Sequence, residues 1–160
     1  MKNSPQAQTP TTVNGVPIIP RNLELAQWAC KKEPDFAAWV NIPAAKACKI
    51  ARHIYMGHLC GYVGVGPKHP YFGKSDTEDS IYNLLVHSGV TYTGYMKKSK
   101  LWWIGFDCGH LGDISPVGNF IQDENCIYRD FKYVKKETNK LAMQLVLVNI
   151  LETKLTNAYN

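Results

Sequence analysis

The run Trp102-Trp103-Ile104-Gly105-Phe106 constrains the fold more than any other part of the chain. It is short, apolar and aromatic, the composition that fills a buried strand. Without a spacer it passes into Asp107-Cys108-Gly109-His110-Leu111-Gly112-Asp113, which carries two acids, a thiol and an imidazole. A core strand that ends in such groups holds them at the rim of a rigid scaffold, where binding and catalytic side chains concentrate. A pocket is therefore expected where this strand ends.

Partners for the strand lie upstream. Residues 61–66 (Gly-Tyr-Val-Gly-Val-Gly) alternate glycine with larger side chains and read as a strand, stopped by Gly66-Pro67 before a loop over 68–76. Residues 86–95 are β-branched and aromatic and predict a second strand. After the polar turn Lys97-Lys98-Ser99-Lys100, residues 101–106 form the third, antiparallel to the second. The N-terminal third reads as helical. Leu23, Leu25, Ala26 and Trp28 mark a short helix, and Phe36, Trp39 and Val40 follow Pro34 at helical spacing. Ala44, Ala47, Ile50, Ala51 and Ile54 line one face of a helix after Pro43.

From about Arg129 a long helix runs towards Leu155, with Val134, Leu141, Leu145 and Val148 on one face. Ala142, Val146, Leu147, Ile150 and Leu151 widen its apolar surface almost all round, which implies deep burial or pairing with a second subunit. The expected class is α+β: a helical N-terminal third, a small antiparallel β-sheet and a long C-terminal helix packed on it. Residues 1–20 are polar and read as a flexible tail, with a short extended piece at Val16-Pro17-Ile18-Ile19. Residues 21–160 read as a single domain.

Charge and cysteine usage narrow the partners. A formal net charge of +5 is mildly basic, and Lys97-Lys98-Ser99-Lys100 and the lysines at 132–136 are short clusters, so no duplex nucleic acid is expected. Five cysteines, odd in number and without a CxxC pair, argue against a disulfide framework or a zinc ribbon and for reduced thiols in a cytoplasm. No run of about 18 apolar residues predicts a membrane span, and the first residues lack a signal-peptide layout.

Several groups carry chemistry. Asp107, His110 and Asp113 surround a polar cavity if Gly109 and Gly112 turn the chain. Capping and packing roles explain the same residues in a purely structural reading. His87, beside Ser88 and Gly89, is a proton carrier or phosphate ligand, or a satisfied core histidine. The 64–70 stretch is glycine-rich but is neither a P-loop nor GxGxxG; Lys68, His69 and Lys74 in and after it could meet phosphate. His69, His87, His110, Asp107 and Asp113 are possible metal ligands, but none has a dedicated spacing, and no metal or other cofactor is assigned. Cys108 lacks an evident orienting partner as a nucleophile. Tyr62, Tyr71, Tyr92 and the two adjacent tryptophans are numerous for such short strands. Alternation turns one of Trp102 and Trp103 towards the helices and offers the other for stacking. Arg129 opens the last helix, where free N–H groups favour anions.

Taken as an ordered set, Gly61-Tyr62-Val63 with His69-Pro70, then Val86-His87-Ser88-Gly89-Val90-Thr91-Tyr92, the 102–113 segment, Tyr128-Arg129 and Tyr133-Val134-Lys135-Lys136-Glu137 resemble a family of small proteins encoded by phages and prophages. The resemblance covers roughly residues 60–145 and brings no activity with it. Ser88 departs from it, standing where a glycine is expected. A phage origin implies, by analogy, a protein that counters host defence, in a host cytoplasm where several defence systems signal with nucleotides. The leading expectation is thus a non-enzymatic binder of a small nucleotide-type ligand. Tyr62, Tyr92 and Trp103 would stack on the base, His69, His87 and Arg129 would meet phosphate, and Asp107, His110 and Asp113 would read polar groups. The alternatives are a nucleotide-cleaving enzyme using His87 and His110 with Asp107, and a direct protein inhibitor of a host enzyme. A homo-oligomer through the C-terminal helix accompanies the leading reading.

Overall fold

In the computed structural model, which describes residues 12–13, 16–17, 21–42, 46–117 and 125–158, the chain alternates short strands with three helices. Its order is β1 (Thr12–Val13), β2 (Val16–Pro17), α1 (Arg21–Lys32), β3 (Phe36–Asn41), β4 (Lys46–Arg52), β5 (Leu59–Val65), α2 (Asp79–Tyr82), β6 (Tyr92–Tyr95), β7 (Trp102–Asp107) and α3 (Phe131–Ala158). Strands β1 and β2 pair with each other, at the place where an extended piece is expected; Ile18 and Ile19 lie outside the described residues. The other five strands form one antiparallel sheet in the order β3-β4-β5-β7-β6, and α3 packs on it. The class is α+β.

Period-two alternation divides the sheet into two faces. Cys48 and Ile50 of β4, Leu59, Val63 and Val65 of β5, and Ile104 and Phe106 of β7 join Val134, Leu141, Ala142 and Leu145 of α3 in the core. Gly61 lies under the helix. A Cβ there would fall inside the contact distance of Thr138 Oγ1 and within 2.6 Å of the Phe106 ring, so only glycine lets α3 sit this close. The other face carries Cys60, Tyr62 and Gly64 opposite Asp107, Gly105 and Trp103. There the Tyr62 ring lies across Gly105, where an added Cβ would be 2.9 Å from Cε1.

The helical reading of residues 36–54 is corrected: Phe36–Asn41 and Lys46–Arg52 within it are strands β3 and β4, and residues 43–45 lie outside the described residues. Ala47 and Ala51 lie four apart, as do Ile50 and Ile54. That spacing fits one face of a helix and equally one face of a strand. Pairing with β5, a non-local contact, decides between them. Among the described residues of the N-terminal third, α1 is the one helix. The strand predicted over 86–95 is confined to Tyr92–Tyr95. Ser88 (φ +52) and Gly89 (φ +90) take left-handed conformations that break an extended chain, so His87 sits in a turn.

Helix α3 begins with two caps. Asp130 Oδ1 accepts the Tyr133 N–H at 2.7 Å, and Glu33 Oε1 accepts the Phe131 N–H at 3.1 Å. Glu33 also belongs to a second tie: Tyr128 OH donates to Glu33 Oε2 (2.8 Å), and Arg52 donates to Tyr128 OH (3.0 Å), the Gly57 carbonyl (2.7 Å) and Asp35 (2.6 Å). This network joins the end of α1, the end of β4 and the entry to α3. At 28 residues α3 is about 42 Å long. Its buried positions stop at Leu145, while Leu147, Ile150, Leu151 and Leu155 are exposed. The apolar surface predicted all round the helix is therefore packed only in its first half. All five cysteines are free thiols, with no disulfide between them. Among the described residues no helix is long and apolar enough to cross a membrane.

Candidate functional site

Strand β7 ends where the sequence predicts a pocket. Asp107 Oδ1 accepts the Gly109 N–H at 2.9 Å and Oδ2 accepts the Thr91 hydroxyl at 2.8 Å. Burial pushes the Asp107 pKa up, but these two donors and the nearby His110 outweigh it and hold the carboxyl below its ordinary value. The chain then turns through Gly112 (φ +90), and Asp113 enters a parallel bridge with Ile127. Ile114 N donates to Ile127 O (3.0 Å) and Ile127 N to Gly112 O (2.9 Å), which fixes the Asp113 backbone.

Asp113 is the hub. Its side chain is 2% exposed. Oδ1 accepts from Arg129 Nε at 2.9 Å, and Oδ2 accepts from His87 Nε2 at 2.7 Å and from the His110 backbone N–H at 3.3 Å. The second ring nitrogen of His87 meets Tyr133 OH at 3.0 Å. In the tautomer whose Nε2–H donates to the carboxylate, Nδ1 accepts the tyrosine proton. Arg129 lies over the Tyr133 ring at 4.9 Å and closes the cluster. An acid that orients an imidazole, with a guanidinium on its other oxygen, is an arrangement that can hold an anion or move a proton. His87 and His110 are edge to face, with ring centroids 5.9 Å apart.

Beside Asp107 lies a cavity of about 330 Å³, lined by His53, His58, Cys60, Tyr62 and Tyr92 among others. Tyr62 and Tyr92 meet edge to face at 5.6 Å, and the His53 and His58 rings stack at 4.9 Å. Burial lowers the His58 pKa and pushes the Cys60 thiol up to about 11. Asp107 belongs to both constellations: it lines the cavity, and Oδ1 is 3.6 Å from His110 Nδ1.

The expected site residues thus divide. Asp107, His110, Asp113, His87 and Arg129 converge, and Tyr62 and Tyr92 line the adjoining cavity. His69 stands apart. It is 5% exposed, Nε2 donates to the Leu145 carbonyl (2.8 Å) and Nδ1 accepts the Tyr71 N–H (3.0 Å), so no ring nitrogen is left for a phosphate. Trp103 is buried, its indole N–H donating to Ser99 Oγ at 2.9 Å, and it is not part of the cavity wall. Trp102 turns to the helix side, edge to face with Tyr95 at 5.1 Å. The N–H groups expected to draw anions to the start of α3 include two that Asp130 and Glu33 already occupy. Cys108 is 1% exposed, and burial, then Asp113, push its thiol far up, the opposite of an activated nucleophile.

Tyr133, Thr91, His53 and His58 are the residues that sequence reasoning missed. Tyr133 stands four residues after Arg129, one helical turn on, and that spacing is the signal that could have found it. A larger recess of about 410 Å³ between β3 and α3 is walled by Trp39, Val40, Ile42 and Met143 with Lys135 and two asparagines. It holds no pair of titratable groups. Two histidines and one acid, His87, His110 and Asp113, present donor atoms all within 4.8 Å of one another, a grouping able to hold a metal. Comparison with family models, curated proteins and solved structures returns no match to this chain.

Proposed function

We propose that this protein binds a small nucleotide-type ligand at the junction of the cavity and the Asp113 cluster, and holds it without turning it over. One observation carries the reading: Asp107 is shared between an aromatic and imidazole wall and a network of Arg129, His87 and His110. A flat base suits Tyr62, Tyr92 and the His53–His58 pair, hydroxyl groups suit Asp107, and phosphate suits His110 and Arg129. A volume of about 330 Å³ is at the small end of ligand sites. With the resemblance to phage proteins, the reading becomes sequestration of a host immune signal. The exposed stripe Met143, Leu147, Ile150, Leu151 and Leu155 supports self-association through α3 as part of it.

The test is to incubate the purified chain with cyclic and ADP-ribose-type nucleotides, remove free ligand, heat-denature, and analyse what is released. Intact nucleotide is the expected result. Absence of any bound nucleotide overturns the reading and favours a host-protein target, which co-purification would then identify. A second reading, nucleotide cleavage with His87 and His110 as base and acid, is favoured by their 5.9 Å separation around Asp113. Product that accumulates with time, blocked by His87→Ala, would replace binding by catalysis. Light scattering at several concentrations checks self-association, and a monomer throughout removes that part.

A further inference from the structure

His110 Nδ1 is a buried side-chain nitrogen without a hydrogen bond. Its neighbours are two carboxylate oxygens, Asp107 Oδ1 at 3.6 Å and Asp113 Oδ2 at 3.9 Å. Both are too long for hydrogen bonds. A buried polar atom left in this state calls for a partner, and an ion is one of the few that fit between an imidazole and two acids.

We infer that His87 Nε2, His110 Nδ1 and Asp113 Oδ2 form a binding site for one divalent first-row transition-metal ion of the Zn²⁺ class. The inference goes beyond the nucleotide reading and does not depend on it. Metal–ligand bonds of about 2.0–2.2 Å place adjacent donors roughly 3–4 Å apart. The His110–Asp113 separation of 3.9 Å is in that range, and all three donor atoms lie within 4.8 Å of one another. The His87–Asp113 contact of 2.7 Å opens slightly as the ion takes the place of the Nε2 proton, and the ring adopts its other neutral tautomer, in which Nδ1–H donates to Tyr133 OH. His110 can adjust, because it lies between Gly109 and Gly112 in a turn and its side chain is 30% exposed.

The donor set selects the ion. Two imidazoles and one carboxylate suit Zn²⁺, Co²⁺ or Fe²⁺ and are a poor match to the all-oxygen preference of Mg²⁺ and Ca²⁺. Three protein donors leave further positions for water or an anionic ligand. The surrounding groups have the roles expected of an outer shell. Tyr133 OH, 3.0 Å from His87 Nδ1, orients that ring, and Arg129 holds Oδ1 of Asp113, so Oδ2 is the oxygen turned to the two imidazoles. Two carboxylates, Asp107 and Asp113, against one guanidinium leave net negative charge for a dication.

The experiment is titration of the untagged, chelator-stripped full chain with Co²⁺, followed by visible absorption and then by displacement with Zn²⁺. One Co²⁺ per chain is expected, with ligand-field bands and no thiolate charge-transfer band. His110→Ala, which removes no side-chain hydrogen bond among the described residues, is expected to fold as the parent by circular dichroism and to weaken Co²⁺ binding by at least about 10-fold. Tyr133→Phe weakens it by about 10-fold, and His53→Ala leaves it unchanged. Failure to take up Co²⁺, uptake unaltered by His110→Ala, or a thiolate band would each overturn the site. Because the readout uses no nucleotide, its failure is separate from failure of the ligand reading.

Discussion

Two loops that flank α3 each present a histidine, and the two have opposite kinds of partner. His69 is held by backbone: the Leu145 carbonyl on one nitrogen and the Tyr71 N–H on the other. His87 is held by side chains: Asp113 on one nitrogen and Tyr133 on the other. Both rings are largely out of solvent. Backbone partners fasten His69 into the fold and give it no second task. The partners of His87 are themselves shared with Arg129, so a ligand can compete for each of them. What distinguishes a fastener from a working group here is the chemistry of its partners, since burial is similar.

The difference is open to direct attack. The largest effect is expected from His69→Ala, which removes two buried hydrogen bonds and leaves a void, at a cost of about 2–4 kcal/mol in urea unfolding. His87→Ala is expected to cost about 1 kcal/mol and to abolish nucleotide retention. Equal losses of stability in the two variants would break the comparison. Asp113→Asn falls between them, at about 2 kcal/mol, because it weakens the Arg129 and His87 ties together; ligand retention should be lost with it. A change in stability with ligand retention intact would make Asp113 a structural residue only.

Acid should separate the loops further. Burial holds the His69 pKa below its ordinary value, with the hydrogen bond to Leu145 O pulling the other way. The unfolded chain therefore takes up the proton first. The contribution of neutral His69 is complete above the unfolded pKa of about 6.5 and is lost as pH falls from there through the native value. Urea midpoints at about pH 8 and pH 5 should differ less in His69→Ala than in the parent. The smallest effect concerns Ser88, whose φ of +52 costs a serine more than a glycine. Ser88→Gly should stabilise the His87 turn by up to about 1 kcal/mol, read as a rise in melting temperature, with ligand binding unchanged.

Much of this could be seen in the chain itself. Strand β7 announces itself by composition, and α3 by a periodic face at Val134, Leu141 and Leu145. Asp107, His110 and Asp113 follow from their place after a core strand. Strands β3 and β4 were hidden because alanines four apart serve both periodicities, and only the pairing with β5 resolves them. The sequence places His69 in a loop and His87 at the start of a strand, each beside a glycine-bearing stretch, and neither setting reveals what holds the ring. Their partners come from α3 and from the 108–113 turn, contacts made across 76 residues for His69 and 26 for His87. The role of Asp113 as common acceptor for His87 and Arg129 is likewise a tertiary fact, invisible to spacing.

The bridge between Asp113 and Ile127 has an evolutionary consequence. Its two hydrogen bonds clamp the chain on both sides of the connection that leaves at Val117 and returns at Asn125. Asp113 and Arg129 keep their mutual register whatever length lies between the clamped ends. The clamp is made of backbone groups alone, so the spacing of Asp113 and Arg129 is inherited with the path of the chain and not with any side chain of the bridge.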